Sequence, residues 1–134
     1  MAISYTIDTD RGIIWTIATG RLTDEQLTEH KTALLRDPAF RADMKEMSDV
    51  RAVETFDVTP DGIREFAEFD MNHKDHIGSH QLALLVPTDF AFGMARMYEM
   101  FTDDSSTRVQ VFRDETEARK WLGIADADSP FGPA

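Results

Sequence analysis

The run His80-Gln-Leu-Ala-Leu-Leu-Val86 narrows the choice of fold more than any other stretch of the chain. Its apolar residues follow one another without alternation from Leu82 to Val86. A strand of that kind needs cover on both faces, as in the middle of a parallel sheet. The next segment, through Phe101, carries its apolar residues at helical spacing. A buried strand leading into a helix implies an α/β fold, and the rest of the chain can be read against that.

Ile3-Ser-Tyr-Thr-Ile7 alternates with period two, and Ile13-Ile-Trp-Thr-Ile-Ala18 places Ile13, Trp15 and Ile17 on one face, so both read as strands. Asp8-Thr-Asp-Arg-Gly12 between them has hairpin chemistry. Thr23 and Gln26 form a capping box, and Leu22 and Leu27 a hydrophobic staple, at the start of a first helix that stops before Pro38. That helix carries Leu27, Leu34 and Leu35 inward. Lys31 falls near the centre of the same face and is expected to snorkel to water, and His30 is expected on the surface. Asp37-Pro-Ala-Phe40 reads as a short turn, and Met47 to Arg51 as a weak strand. Thr59-Pro60 then opens a second helix with Ile63, Phe66 and Ala67 inside. Thr107 to Phe112 is a last strand near an edge. Asp114 with Glu117 caps a final helix packing Ala118, Trp121 and Leu122, and Gly123 ends it. The order β-β-α-β-α-β-α-β-α predicts one α/β domain, a mixed sheet packed by helices, over residues 1–124. Residues 125–134 are expected to be a flexible tail.

Composition excludes several functions. The chain has 134 residues, enough for a single hydrophobic core. Lys and Arg number 14 against 25 Asp and Glu, a net charge of −11. Nucleic-acid backbones and anionic lipid both call for clustered positive charge, so neither is an expected partner. Without cysteine there is no disulfide, thiolate metal site or cysteine nucleophile. MAISYTIDTDRG has neither the basic nor the apolar region of a signal peptide. The run Leu82–Val86 is too short to span a bilayer. A cytoplasmic protein without an integral membrane segment is the expectation.

The order and several stretches together resemble the SpoIIAA-like branch of the STAS superfamily, the anti-sigma-factor-antagonist fold. These are Gly20-Arg-Leu-Thr23, Asp49-Val-Arg51, Phe56-Asp-Val-Thr59, Phe92-Gly-Met-Ala-Arg-Met-Tyr98 and Val111-Phe-Arg-Asp114, followed by Ala118 and Trp121-Leu122. The resemblance covers roughly residues 3–123. It implies a small non-enzymatic domain. Classical members bind partner proteins and are switched by phosphorylation of a serine at the start of the second helix, within Asp-Ser-Ser-Gly. Other branches resemble CRAL-TRIO lipid-binding domains, which implies a lipophilic ligand or peripheral membrane association. Here the switch position reads Asp57-Val-Thr-Pro60. Valine replaces the first serine, and Thr59 is the remaining candidate phospho-acceptor, although N-capping explains its hydroxyl.

The chain has no Gly-rich phosphate loop, G-x-S-x-G or H-E-x-x-H. His73, His76 and His80 form a candidate metal cluster for a metal-dependent enzyme, but Gly78 and the following strand interrupt helical spacing. No cofactor is expected. On the helix ending at Phe101, residues Phe90, Met94, Met97, Tyr98 and Phe101 share one face and are expected in the core. Phe92 falls opposite, between Arg96 and Glu99, with Met100 near the edge of that side. Phe92 is therefore expected to meet something outside its own sheet. Methionine suits surfaces that must repack. The first functional expectation is a protein-interaction or regulatory module, a homodimer or partner binder through this helix. The alternative is a carrier or sensor of a small lipophilic molecule. Phe66, Phe69, Phe92, Met97, Tyr98 and Met100 are the candidate surface for either.

Overall fold

A computed structural model describes residues 2–103 and 107–130. Five strands form one sheet in sequence order: β1 (Ile3–Asp8), β2 (Ile13–Thr23), β3 (Lys45–Asp57), β4 (Gln81–Leu85) and β5 (Arg108–Phe112). β1 and β2 are an antiparallel hairpin, closed at Gly12, which has φ 70° and whose N–H donates to Asp8 O at 2.9 Å. Every later pairing is parallel. The crossovers run through α1 (Asp24–Arg36), then α2 (Pro60–Asn72) with the short α3 (Lys74–Ile77), then α4 (Asp89–Phe101). Strands added in one direction by right-handed crossovers place their helices on the same face of the sheet. Thus α1, α2 and α4 cover one face, and α5 (Glu115–Leu122), after the last strand, covers the other.

Strand alternation divides the core accordingly. Ile13 and Trp15 of β2 join Met47 and Ala83 beneath Ala118 and Leu122 of α5. The intervening β2 residues Ile14 and Thr16 lie in register with Glu46 and Ser48 of β3, which lie in register with Leu82 and Leu84 of β4. That second face meets the three crossover helices. Among the described residues no helix is long and apolar enough to cross a membrane.

The helix ends carry the expected chemistry. Thr23 and Gln26 make both bonds of a capping box. Thr59 Oγ1 accepts from Gly62 N, with Pro60 as the first helical residue. Gly123 ends α5 in the left-handed region at φ 71°. Asp114 caps α5 by accepting from Thr116 N.

Several expectations need correction. β2 and β3 run well past the segments that alternation marked, pairing as far as Thr23 and Asp57. β4 accompanies β3 only from Lys45 to Asp49, and beyond that point β3 keeps Val50, Val53 and Phe56 against the main core cluster. The tail expected from Ala125 is anchored as far as Ala127, which is buried against α5's cluster while its carbonyl accepts from Arg119 Nη1 at 2.6 Å. Residues 131–134 of that expectation lie outside the described residues.

The largest correction concerns α4. Met94, Met97, Tyr98 and Phe101 of the expected stripe do pack on the core, but Phe90 does not, and Ala91 and Ala95 take its place on the inward side. Phe90 is 55% exposed and Met100 71% exposed. Phe92 does not face away from the sheet. It is half-buried against Val86 and Val111, where α4 overlies β4 and β5. The alanines set this orientation, because their small side chains let the helix backbone approach the sheet.

Candidate functional site

Each crossover helix presents an inward quartet at i, i+3, i+4 and i+7, the spacing of one helical face. In α1 it is Leu27, His30, Lys31 and Leu34. In α2 it is Ile63, Phe66, Ala67 and Asp70. In α4 it is Ala91, Met94, Ala95 and Tyr98. Each quartet contains an ionisable side chain, and three of these groups meet. Lys31 Nζ lies 3.1 Å from Asp70 Oδ1, and Tyr98 Oη donates to Asp70 Oδ2. All three residues are buried. Lys31 therefore does not snorkel. Its ammonium lies 5.1 Å from the centre of the Phe66 ring.

The sheet supplies a second polar group. Glu46 occupies a register row between Ile14 and Leu82. Thr16 Oγ1 donates to its Oε2 at 2.9 Å, His80 Nε2 lies 3.0 Å from Oε1, and His30 Nε2 lies 3.8 Å from Oε2. His30 is thus drawn inward from its expected surface position; its side chain is 9% exposed.

These contacts decide the charge states. Burial works against the Lys31 ammonium, but the Asp70 and Glu46 carboxylates and the bond to Asp70 outweigh it and hold the pKa above its ordinary value. Burial also works against the Glu46 carboxylate. His30, His80 and Lys31 reverse that effect and keep Glu46 well below the usual carboxylate range. Burial and the neighbouring Asp70 and Glu46 push the Tyr98 phenol well above its usual value. Lys31 and Glu46 are accordingly held in their charged forms and Tyr98 in its neutral form.

Above this polar floor the helices and sheet do not close completely. A cavity of about 100 Å³ remains between the sheet and the three helices. Its walls are apolar, with Leu82, Leu84, Ile63, Phe66, Met94 and Ala95 prominent. Thr16, His30, Lys31, Glu46, Ser48 and Tyr98 supply the polar boundary. An apolar recess with a few convergent polar groups is the usual form of a small-molecule site. The volume is smaller than the roughly 150 Å³ of an engineered cavity that takes benzene. A short chain or a small ring fits, and a longer ligand has to displace the flexible Met94 side chain.

Of the residues expected on a ligand surface, Phe66 and Tyr98 border the cavity. Met97 packs against the main core cluster. Phe69 stacks on His73 with ring centres 4.2 Å apart. Phe92 packs beside β5, and Met100 points to solvent. Sequence reading missed Glu46, Thr16 and Ser48. It noted the position of Lys31 without its partner. The available signal was a charge inside each element's core stripe: Lys31, Asp70 and Glu46.

The other candidates are placed apart from the cavity. His73 is exposed, with Nδ1 at 2.8 Å from Phe69 O. His76 is exposed over the Phe40 ring, whereas His80 is buried on Glu46. The three imidazoles therefore do not converge, and among the described residues no group of three His, Asp or Glu side chains is placed to hold a metal. Thr59 lies at the exposed start of α2. Asp24 accepts from its N–H at 2.9 Å and from Oγ1 at 2.7 Å, filling the place where a phosphate would meet the helix N-terminus.

No known family matches the chain, and no curated protein does. Among solved structures it is similar to an uncharacterised protein of the DUF3478 family with a SpoIIAA-like fold, from Shewanella loihica PV-4. The two share 16% identity with a TM-score of 0.58, over 90% of this chain and 94% of that one. At that identity the likeness is one of architecture. A five-stranded mixed sheet with α1, α2 and α4 on one face and α5 on the other, matched over nearly the full length of both proteins, gives this chain a SpoIIAA-like fold.

Proposed function

We propose that this protein is a non-enzymatic binding module whose site is the cavity under α1, α2 and α4, and that it takes up a small, mostly apolar molecule. The observation that supports this reading is the apolar recess ending on ionisable groups from α1, α4 and the sheet, with Asp70 of α2 bonded to them. A core built only for stability would be filled, because each unfilled volume forfeits dispersion contacts. Catalysis is not part of the proposal. The floor's ionic groups are engaged with one another: Lys31 with Asp70, and Glu46 with Thr16 and His80.

A protein-binding role has its own observation. Phe90 and Met100 are the exposed large apolar residues on α4. They lie ten residues apart, so they offer two separate points and not one continuous patch. The cavity reading is therefore preferred over the homodimer. Native and denaturing mass spectra of one freshly purified sample test it. The expected result is a native monomer carrying an extra small-molecule mass that is absent after denaturation. A clean dimer without adduct would favour the surface of α4 instead.

A further inference from the structure

We infer that the ligand of this cavity carries a neutral oxygen head, a hydroxyl or a carbonyl, and that the site rejects carboxylates and amines of the same chain length. The inference rests on the cavity being the binding site and concerns only what its floor accepts.

Glu46 and Lys31 border the cavity, and the Asp70 carboxylate lies next to them, held by Lys31 and Tyr98. The ammonium already faces Asp70 at 3.1 Å, and both His80 and Thr16 are directed at Glu46. A ligand carboxylate would lose its hydration and then meet Glu46 at the cavity wall, while Asp70 holds the Lys31 ammonium and Glu46 holds the His30 and His80 rings. A ligand ammonium would also lose its hydration, and would have to settle beside Lys31. A neutral oxygen faces neither difficulty. Lys31 has three N–H donors, and this cavity-lining residue has Asp70 as one partner of its Nζ. Tyr98 gives its own proton to Asp70, which leaves its oxygen as an acceptor. A hydroxyl can accept from Lys31 and donate to Tyr98, and a carbonyl can accept from Lys31. The apolar walls take the hydrocarbon part.

Three probes of one chain length separate the possibilities: 1-hexanol, hexanoate and hexylamine, titrated at pH 7 into protein labelled at methionine and isoleucine methyls. The expected result is saturable shifts of the Met94 and Ile63 methyls with hexanol, and binding of each charged probe at least about tenfold weaker. Ala95→Phe, which fills the cavity from α4, is expected to abolish the hexanol response while its own spectrum stays dispersed. Hexanoate or hexylamine binding as tightly as hexanol, in a manner blocked by Ala95→Phe, would overturn the neutral-head inference and leave the cavity reading standing. If no probe shifts Met94 and Ile63, or if Ala95→Phe folds and responds unchanged, both inferences fall.

Discussion

The two faces of the sheet are built on different principles. Under α5, Ile13, Trp15, Met47, Ala83, Ala118 and Leu122 form a buried apolar cluster that Ile124 and Ala127 extend, and the charged Arg119, over the Trp15 ring, lies at its edge paired with Glu115. Under α1, α2 and α4, the same strands present Thr16, Glu46 and Ser48, and the helices answer with Lys31, Asp70 and Tyr98. Neighbouring residues of a single strand, such as Trp15 and Thr16, belong to opposite regimes. A buried ion pair is a weak source of stability, because desolvation offsets most of the attraction. Apolar side chains would stabilise the three-helix face at least as well. Fold stability therefore does not account for the polar floor, which is why the proposed ligand site is placed there.

The largest effect expected from this contrast comes from breaking the ion pair on one side only. Lys31→Ala leaves Asp70 buried and uncompensated, and chemical denaturation should show a loss of about 3–5 kcal/mol. Replacing both partners, Lys31→Met with Asp70→Leu, should recover part of it, the remainder being the Tyr98 hydroxyl left without its acceptor. A double variant no better than the single one would mean that the pair itself stabilises the fold. On the other face, Leu122→Ala creates an ordinary cavity, with an expected cost of about 2–5 kcal/mol.

The faces should also differ in their response to pH. Glu46 has a lowered pKa in the folded protein. Its contribution is present above the unfolded carboxylate value of about 4.3 and is lost as pH falls through the folded value. Lys31 and Tyr98 are raised. Their contributions are full below about 10 and are lost as pH rises through the folded values. Thermal melts should therefore fall at both extremes, and Glu46→Gln should flatten the acid limb. Leu122→Ala should lower the whole curve without changing its shape. A Glu46→Gln acid limb identical to the parent's would remove Glu46 from the buried set.

Smaller effects belong to the periphery. Thr59→Ala removes the cap of α2 and should cost about 1 kcal/mol by denaturant titration. Phe90→Ser and Met100→Ser, both on exposed positions of α4, should each stay within about 0.5 kcal/mol. Sedimentation of the double variant should match the parent. Dissociation of a parent dimer on making that double variant would show that α4 is an interface.

The architecture was readable because each element carried a local signal that agreed with its neighbours. The unalternating Leu82–Val86 run, the Thr23–Gln26 capping box and the Thr59-Pro60 helix start all coincide with observed elements or their caps. The orientation of α4 was readable in part: Met94, Met97, Tyr98 and Phe101 lie on the core side as their spacing implies. Phe90 outweighs Ala91 and Ala95 in any hydrophobicity sum, yet it is exposed and the alanines lie on the side that approaches the sheet. Phe92→Asp would place a charge against Val86 and Val111 and so disturb the seat of α4 on the sheet. Lys31 was visible on a core face, but a single helix cannot reveal that Asp70, 39 positions later, will meet it. Glu46 precedes the segment first read as strand, so its inward alternation with Met47 went unused.

Crystals pressurised with xenon test the central contrast most directly, because xenon enters dry apolar cavities large enough to hold it. Xenon density among Ile63, Leu82, Leu84 and Met94, with none between α5 and the sheet, is the predicted result. An empty three-helix face, or xenon under α5 instead, would contradict it.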